Sequence, residues 1–344
     1  MTPEISLIIL NHNGAIWLDR CLESICAQTA AGRFEVVIFD AASGDNSLVI
    51  CERFRPRLPS LRIVADKRDL WYCDACNAAA REAHSPLLLF LNTDIWLETN
   101  CIQMLLEAAE SGAEVLAARI LDYDSDNFQT FGAAGIDWLG CTVFMSNHST
   151  ACDFLAGIGG AFAIRKDWFE KIGGYPDEWI AYVDEMDLGW RVWAAGGRVV
   201  GVPRAIVHHR GAAMANPAGG TKIIELRTTV TKRFLSTRNN ILFLLKNCQH
   251  ILLLLLIPHL CLLVCEALVW LVLTRQWQFV KQAYIRGIVE AFRMRRQVRE
   301  WRRQSARIRR HGDFWMLRFI KLKPGRWGEV KHLFKLGMPK VDYK

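Results

Sequence analysis

The sequence predicts an α/β protein whose mostly parallel sheet is flanked by helices. Over the first 120 residues, short apolar runs alternate with segments of helical periodicity, as in parallel strands joined by crossover helices. Polar residues follow three of these runs, at residues 11–14, 40–44 and 92–94. Ligands of such sheets bind at the carboxyl ends of the strands. We therefore expect a binding site where these three polar segments meet.

Each element follows from its own apolar pattern. Residues 5–10 form a nearly continuous apolar run that ends in a polar turn, which is typical of a buried strand. Residues 15–28 carry apolar side chains at helical spacing, among them Leu18, Leu22 and Ile25. The same two patterns then alternate. The predicted strands are residues 5–10, 34–40, 61–65, 87–91 and 115–120, and the predicted helices are residues 15–28, 45–54, 73–84 and 98–111.

The region after residue 121 is less regular. Residues 122–150 are rich in Asp, Asn and Gly and are interpreted as irregular loops. Regular elements then return, and a Gly-Gly pair ends the last predicted helix. These elements are strands at 157–164 and 198–202, helices at 166–172 and 184–195, and a Gly/Ala/Pro-rich mobile loop at 211–220.

Residues 251–273 form the longest apolar run of the chain. At ~1.5 Å per residue a helix of this length crosses the ~30 Å of hydrocarbon in a bilayer. However, Pro258, His259 and Glu266 interrupt the run. A single span would also place the basic residues that follow opposite a cytoplasmic N-terminal region, against the positive-inside tendency. We expect a re-entrant hairpin bent near Pro258 or helices lying in the membrane interface, with a buried core or dimer helix pair as the alternative.

The positive charge lies almost entirely at the end of the chain. Residues 275–344 hold 20 of the 43 Lys and Arg and 5 of the 35 Asp and Glu, a net charge of +15, which leaves −7 for the rest. Because this segment follows the apolar run, it favours an anionic membrane surface as partner and not nucleic acid.

Two further features indicate the compartment. Residues 1–13 lack the basic and apolar regions of a secretory signal peptide. The eleven cysteines are scattered through predicted strands and helices, which fits a reducing environment. We expect the N-terminal region to work at the cytoplasmic face of the cell membrane.

Acidic residues at two places are candidates for chemistry. Asp94 follows a predicted strand, where it would bind a metal ion or simply form a turn. Asp184, Glu185 and Asp187 open a predicted helix, and three acids exceed what helix capping requires. One division of roles has Asp184 or Asp187 capping the helix while Glu185 acts as a general base. His208 follows a strand and is either a surface residue or a ligand.

Seven segments in order resemble the motif series of family 2 glycosyltransferases, which have the GT-A fold with its Rossmann-like sheet. They are ISLIILNHNG (5–14), IFDAASGDNS (38–47), LFLNTDIWL (89–97), GGAFAIR (159–165), IGGY (172–175), YVDEMDLGWR (182–191) and PRAIVHHRG (203–211). The most similar branch is that of the rhamnosyltransferase-like and galactofuranosyltransferase-like members. Residues 237–247 (TRNNILFLLKN) are similar to the segment that leads those enzymes into a membrane-associated C-terminus.

The resemblance implies inverting transfer of a sugar, with rhamnose as a candidate, from a dTDP- or UDP-linked donor to a lipid-linked or polysaccharide acceptor. Mg²⁺ or Mn²⁺ would be the cofactor. It implies Glu185 as catalytic base preceded by Asp184, and Asp94 and His208 as metal ligands. The implied donor-binding residues are Asn11, Asn13, Asp40, Ser43, Asn77, Asn92 and Asp94. Further candidates, on the acceptor side or elsewhere in the site, are Asp187, Arg191 and Trp71, of which Trp71 could select for a particular sugar.

The sequence departs from the family's pattern at three places. Asn92 replaces the first acid of the metal motif, Glu185 is one methylene longer than the usual Asp, and Trp71 lies where relatives are rich in glycine. Two rival interpretations are a catalytically inactive membrane scaffold, which Asn92 permits, and a thiol-redox protein using Cys73 and Cys76.

The predicted organisation has three parts. They are a GT-A catalytic domain at residues 1–240, a hydrophobic membrane-associated helical segment at 241–275 and a basic amphipathic tail at 276–344. An oligomer is compatible with this organisation.

Overall fold

The computed structural model describes residues 2–157, 160–211 and 225–342, and a ten-stranded sheet lies at its centre. The strands are β1 (Ile5–Asn11), β2 (Phe34–Ala41), β3 (Leu61–Asp66), β4 (Leu87–Asn92), β5 (Ile95–Leu97), β6 (Val115–Asp122), β7 (Phe128–Thr130), β8 (Gly132–Asp137), β9 (Thr142–Phe144), β10 (Cys152–Asp153), β11 (Ala156–Gly157), β12 (Ala161–Arg165), β13 (Val199–His209), β14 (Arg227–Thr229), β15 (Ile320–Lys321) and β16 (Lys340–Asp342).

Helices cover both faces of this sheet and form most of the C-terminal third. The α-helices are α1 (Ala15–Cys26), α2 (Ser47–Arg53), α3 (Tyr72–Glu82), α4 (Cys101–Ala109), α5 (Lys166–Lys171), α6 (Asp184–Ala194), α7 (Val230–Asn247), α8 (Leu256–Thr274), α9 (Trp277–Val280), α10 (Arg286–Arg293), α11 (Arg295–Ile308), α12 (Asp313–Met316) and α13 (Trp327–Leu336). Short 3-10 turns at Leu252–Leu255 and Leu317–Phe319 and a π-helical turn at Lys281–Ile285 complete them.

The central sheet has the order β10-β13-β6-β12-β4-β1-β2-β3, with β5 beside β13 and β7 beside β6. Strands β4, β1, β2 and β3 are parallel, as predicted, but β12 runs antiparallel to both of its neighbours. The register pairs Asn11 with Asp40, so the polar ends of β1 and β2 lie side by side. The sheet is therefore mixed, and its parallel half carries the predicted site.

Alternate residues of the central strands pack into two separate cores. On β1, Leu7 and Ile9 belong to the same cluster as Leu18 of α1, whereas Ile8 belongs to the cluster that contains Cys76 of α3. This alternation follows from the two-residue period of a strand. The prediction of helices on both faces of the sheet is confirmed.

Residues 122–150 are more regular than expected. They contain β7, β8 and β9, and β8 forms a second small sheet with β9, β11 and the distant β15. The prediction of irregular loops is therefore wrong. Glycine has a low strand propensity, so the two glycines of β8 favoured a loop in the sequence although they lie in a strand. Gly135 is required by packing, since a Cβ atom there would collide with the backbone oxygen of Phe319.

The mobile loop predicted at 211–220 lies outside the described residues except for Gly211. The strand predicted at 157–164 is described as β11 and β12, with residues 158–159 outside the described part. The strand predicted at 198–202 continues to His209, past an irregularity between Val202 and Ile206.

The apolar run forms one helix, α8, preceded by a 3-10 turn. Leu252–Thr274 is long and apolar enough to cross a membrane by length and composition, with a mean hydropathy of 2.5. Pro258 lies in the first turn of α8, where a proline ring is compatible with helical geometry. The expected hairpin bend at Pro258 is therefore wrong.

Candidate active site

Four of the predicted donor-binding residues form one hydrogen-bonded cluster at the ends of β1 and β2. The side-chain amide of Asn11 donates to the carboxylate of Asp40 and, at 3.0 Å, to Oγ of Ser43. The backbone N–H groups of Asn13 and Ser43 donate to Ser43 Oγ and Asp40 Oδ1, at 2.8 and 3.0 Å. The parallel register of the two strands brings these residues together, and their mutual bonds fix their orientation.

Asp94 lies on the turn between β4 and β5, where its carboxylate faces a histidine. Its Oδ2 atom is 3.5 Å from Nε2 of His209, and the two side chains are 26% and 21% exposed. The backbone N–H of Arg210 donates to the carbonyl oxygen of Asp94 at 3.0 Å, which joins this turn to the end of β13. Asp94 and His209 therefore form an accessible pair of an oxygen and a nitrogen ligand.

The predicted metal ligand His208 faces away from Asp94. Its ring stacks on Trp96 at 3.7 Å, and its two nitrogens lie 2.7 Å from the carbonyl oxygen of Asp122 and 3.1 Å from Oε1 of Glu98. Successive residues of a strand point to opposite faces, so the structure assigns the place beside Asp94 to His209. The sequence signal that was missed is the alternation of side chains along a strand, which allows only one of two adjacent histidines to point toward Asp94.

The Asp94–His209 pair fits a divalent cation. Protein oxygen and nitrogen ligands bind such ions at ~2.0–2.2 Å, so two ligand atoms 3.5 Å apart can share one ion. The second ring nitrogen of His209 lies 3.3 Å from Oε1 of Gln129, and contacts of this kind orient metal-binding histidines. Within the described ranges, no group of three or more His, Cys, Asp and Glu could hold a metal. The remaining ligands would have to come from a bound molecule.

A cleft of about 430 Å³ opens against the start of α6. Asn92, two residues from Asp94, lines it together with Glu185. The second small sheet supplies the opposite wall. The other lining residues are Tyr72, Ala133, Thr142, Phe144, Gly157, Ala181, Tyr182, Val183, Asp184 and Met186.

The two acids at the start of α6 have different environments. Asp184 is buried, and its Oδ2 atom has no hydrogen-bond partner among the described residues. Burial, and then the neighbouring charge of Glu185, raise the pKa of Asp184 well above its ordinary value. Glu185 is half-buried at the cleft. Burial therefore favours the neutral form of Asp184, and Glu185 is the acid with access to a ligand.

Asp187 and Arg191, predicted on the acceptor side, form a buried ionic network instead. The Oδ2 atom of Asp187 accepts hydrogen bonds from Arg191 Nε and Lys246 Nζ, both at 2.8 Å, and Oδ1 accepts one from Asn247 at 2.7 Å. Arg191 also donates to the carbonyl oxygen of Ile172 at 2.7 Å. The third acid of α6 therefore joins this helix to α7 and has no access to the cleft.

Asn77 also has a structural position. Its amide donates to the carbonyl oxygen of Tyr175 and accepts from the backbone N–H of the same residue, both at 2.9 Å. Both ends of the amide are therefore engaged with Tyr175, and donor contact by Asn77 stays a prediction. Trp71 precedes α3 and is half-exposed, so its ring is available to a ligand.

The loop before α6 has a strained backbone, which the sequence did not reveal. Glu178, Ile180, Tyr182 and Val183 have φ angles between 64° and 74°, a region that non-glycine residues rarely occupy. The side-chain amide of Asn239 on α7 donates to three carbonyl oxygens of this loop, those of residues 179, 181 and 182, at 2.8–3.0 Å.

Arg238 strengthens the same contact. Its Nη2 atom donates to the carbonyl oxygens of Glu178 and Trp179, both at 2.9 Å. The polar run Arg238, Asn239 and Asn240, directly before the apolar residues 241–245, was the sequence signal for this contact. We call Arg238 and Asn239 the α7 clamp. The clamp holds the backbone that immediately precedes Glu185.

The environment of Cys73 and Cys76 excludes them as a thiol-redox pair. Both thiols are fully buried on α3. Burial, and then the charge of Asp184, raise the pKa of each thiol well above its ordinary value. Reactive cysteines are accessible and have lowered pKa values.

The N-terminal half of the chain is similar to known glycosyltransferases. Residues 6–173 match the model of glycosyl transferase family 2, a range that contains Asn11, Asp40, Asn92 and Asp94 and ends before α6. The chain is 33% identical over 129 residues to validoxylamine A glucosyltransferase of Streptomyces hygroscopicus subsp. jinggangensis, which covers 36% of this chain and 30% of that protein. The chain spans about a third of the length of the curated relatives it matches.

Solved structures share the fold. S. aureus TarS 1–349 in complex with UDP superposes with a TM-score of 0.55 at 14% identity, covering 89% of this chain and 88% of that chain. GalNAc-T7 with UDP, GalNAc and Mn²⁺ superposes with a TM-score of 0.54 at 20% identity, covering 60% of this chain and 44% of that chain. Residues 6–173 are therefore similar to glycosyl transferase family 2, and the chain shares the GT-A fold of these solved structures.

Proposed function

We propose that this protein transfers a sugar from a nucleotide-diphosphate sugar to a hydroxyl group of a lipid-linked or polysaccharide acceptor. The observation that carries the proposal is the cleft that Asn92 and Glu185 share, since Asn92 lies two residues before Asp94 of the Asp94–His209 pair. The two solved structures named above contain UDP, one of them with Mn²⁺. We propose a UDP- or dTDP-linked donor, with rhamnose as the candidate sugar.

Each group of residues has one task in this reaction. The cluster of Asn11, Asp40 and Ser43 presents fixed donors and acceptors to the base and ribose of the nucleotide. Asp94 and His209 would hold Mg²⁺ or Mn²⁺, which supplies positive charge to the diphosphate as it leaves. The oxygen of Asn92 is neutral, so Asp94 carries the protein's negative charge at this position.

Glu185 performs the proton transfer. As the acceptor oxygen bonds to the anomeric carbon, the bond from that carbon to the diphosphate oxygen breaks, and the hydroxyl proton moves to the Glu185 carboxylate. Direct attack from the side opposite the leaving group inverts the anomeric centre. Asp184 stays neutral beside Glu185, so it adds no second negative charge to this wall of the cleft.

A donor screen followed by one substitution tests the proposal. Purified protein is heated with UDP-, dTDP- and GDP-sugars and Mn²⁺, and the true donor raises the unfolding temperature because it binds only the folded state. Asp94→Ala should abolish metal-dependent turnover of that donor. If no nucleotide sugar binds or is turned over, the protein is an inactive scaffold. Full activity of Asp94→Ala would rule out the proposed metal site.

A further inference from the structure

One face of α8 is buried against the rest of the protein along most of its length. His259, Leu263 and Trp270 are buried, and Glu266 lies between them with 21% of its side chain exposed. These residues recur every three or four positions, which places them on one side of the helix. From His259 to Trp270 this covered face extends for ~16 Å.

Both polar residues on that face have partners in the domain. Nδ1 of His259 lies 2.7 Å from the carbonyl oxygen of Leu139, in the turn between β8 and β9. Glu266 pairs with Arg326 of the C-terminal segment and, at 3.7 Å, with Arg233 of α7. The groups that interrupt the apolar run in the sequence are therefore the contacts that fix α8 to the protein.

The opposite face of α8 is apolar and exposed. Ile257, Val264, Leu268 and Val272 are 50–72% exposed and lie on the side away from His259 and Glu266. The exposed Cys261 lies in the same stripe. We call these five residues the α8 outer stripe. An apolar stripe of this length on a surface that faces water marks an interaction site.

We propose that α8 lies flat in the surface of an anionic lipid bilayer, with the outer stripe in the lipid and the catalytic domain on the water side. A helix that crosses a bilayer by itself meets lipid on all sides. If α8 crossed, Arg233 and Arg326 would enter the hydrocarbon with it, at a cost of at least ~2.5 kcal/mol for each charge near the centre. An in-plane helix keeps these ion pairs out of the lipid.

The surrounding charge is complementary to an anionic bilayer. Ile285, Val289 and Phe292 form a second exposed apolar stripe, next to the exposed Arg293 and Arg296. The C-terminal segment that contains them carries a net charge of +15. Basic residues beside inserted apolar ones bind membranes that contain anionic lipids. All eleven cysteines are free, which favours the cytoplasmic face of the cell membrane.

This orientation places the bilayer beside the cleft. The turn between β8 and β9 contacts α8 through Leu139, and Thr142 and Phe144 of β9 line the cleft. An acceptor anchored in the lipid would therefore reach Glu185 along the β8–β9 hairpin. This last step rests on the proposed glycosyl transfer, whereas the docking of α8 does not.

Vesicle flotation tests the docking independently of catalysis. The full chain should float with vesicles of phosphatidylcholine and phosphatidylglycerol, and much less with phosphatidylcholine alone. The triple variant Val264→Glu, Leu268→Glu, Val272→Glu should lose flotation and keep cooperative thermal unfolding. Val49→Glu, at an exposed apolar residue of α2, is the matched control and should float like the wild type.

A second variant keeps the test decisive if the triple variant fails to fold. Arg293→Gln with Arg296→Gln leaves every buried contact of α8 unchanged and should weaken flotation only with phosphatidylglycerol vesicles. If the wild type and this variant both float equally well with the two lipid mixtures, the proposal of an anionic bilayer is overturned. A wild-type dimer in solution that the triple variant splits, without flotation, would assign the stripe to a second copy of the chain.

Depth measurements separate a flat helix from a span. One accessible cysteine at a time is introduced as Ile257→Cys, Val264→Cys or Val272→Cys, after the four cysteines that are not buried are changed to Ser. Each is labelled with a fluorophore and quenched by lipids brominated at known depths. The four replaced residues are Cys26, Cys152, Cys261 and Cys265. The proposal requires the same shallow depth at all three positions. Deepest quenching at position 264, with shallow ends, would show that α8 crosses the bilayer and would overturn the proposal.

Discussion

The carboxylate of Asp94 lies 3.5 Å from the imidazole of His209, whereas the adjacent His208 stacks on Trp96. Because neighbouring residues of β13 point to opposite sides, only one of the two histidines shares a site with Asp94. The geometry therefore gives the two histidines separate tasks, one in binding and one in packing, that substitution can distinguish.

His209→Ala should weaken binding of Mn²⁺ on the order of a hundredfold, because one of two protein ligands is lost. Its unfolding temperature without metal should change little. His208→Ala should instead lower the free energy of unfolding by ~1–3 kcal/mol, because it removes a buried ring that stacks on Trp96 and bonds to the carbonyl oxygen of Asp122. Donor turnover as a function of Mn²⁺ concentration measures metal binding in both variants, and thermal unfolding measures their stability. The opposite pattern would return the metal site to His208.

Glu185→Gln should reduce sugar transfer about 10²–10⁴-fold while donor binding stays unchanged, because the amide cannot accept the hydroxyl proton. Asp184→Asn is the matched control, since burial favours the neutral form of Asp184. Transfer rates and donor thermal shifts are measured for both. An active Glu185→Gln together with an inactive Asp184→Asn would assign the base to Asp184.

Asp184→Asn should also stabilise the protein at neutral pH. The folded state raises the pKa of Asp184, so the wild-type protein keeps a proton there that the unfolded chain releases above about pH 4. Wild-type stability therefore falls as pH rises above that value, and the neutral amide avoids this loss. Thermal unfolding of both proteins should differ more at pH 7 than at pH 4. A difference in unfolding temperature that is the same at pH 4 and pH 7 would contradict the raised pKa of Asp184.

The register of the sheet explains why part of the site was predictable. Asn11 and Asp40 end neighbouring apolar runs, and a parallel sheet places such ends together, so the sequence alone indicates their proximity. The acids of α6 could be found by composition, since three acids in one helical turn are unusual. The local sequence pattern was therefore sufficient to find both the polar strand ends and the acids of α6.

Contacts between distant segments were not predictable. Asp187 lies in the same helical turn as Glu185, and its bonds to Lys246 and Asn247 of the distant α7 make it structural. β8 depends on β11 and on β15 from the C-terminal segment, which no local pattern indicates. His259 and Glu266 looked like interruptions of a membrane helix because their partners are far away in the chain.

The buried network of Asp187 should contribute to stability and not to acceptor binding. Asp187→Asn leaves Arg191 and Lys246 buried with less compensating charge, which should lower the free energy of unfolding by about 3–5 kcal/mol. Asp19→Asn breaks an exposed pair with Arg53 and should cost at most ~1 kcal/mol. Denaturant unfolding measures both. An acceptor KM that rises in folded Asp187→Asn would restore its predicted acceptor role.

The α7 clamp should set the position of Glu185. Asn239→Ala removes the donor shared by three carbonyl oxygens of the strained loop, so the loop should relax toward ordinary backbone angles and move the start of α6. Because a displacement of ~1 Å costs about a hundredfold in rate, kcat should fall by up to that factor. The KM for the donor should change little, since the donor cluster lies on β1 and β2.

The adjacent Asn240 provides the matched control. Its amide donates to the carbonyl oxygen of Ser236 within α7, so Asn240→Ala loses one hydrogen bond without touching the loop. A purely structural role for Asn239 would lower the unfolding temperature and leave the kcat of the folded enzyme unchanged. Equal kcat values for Asn239→Ala and Asn240→Ala at a temperature where both are folded would therefore reject the clamp. A lower kcat in Asn239→Ala alone, with an unchanged donor KM, is the result that positioning requires.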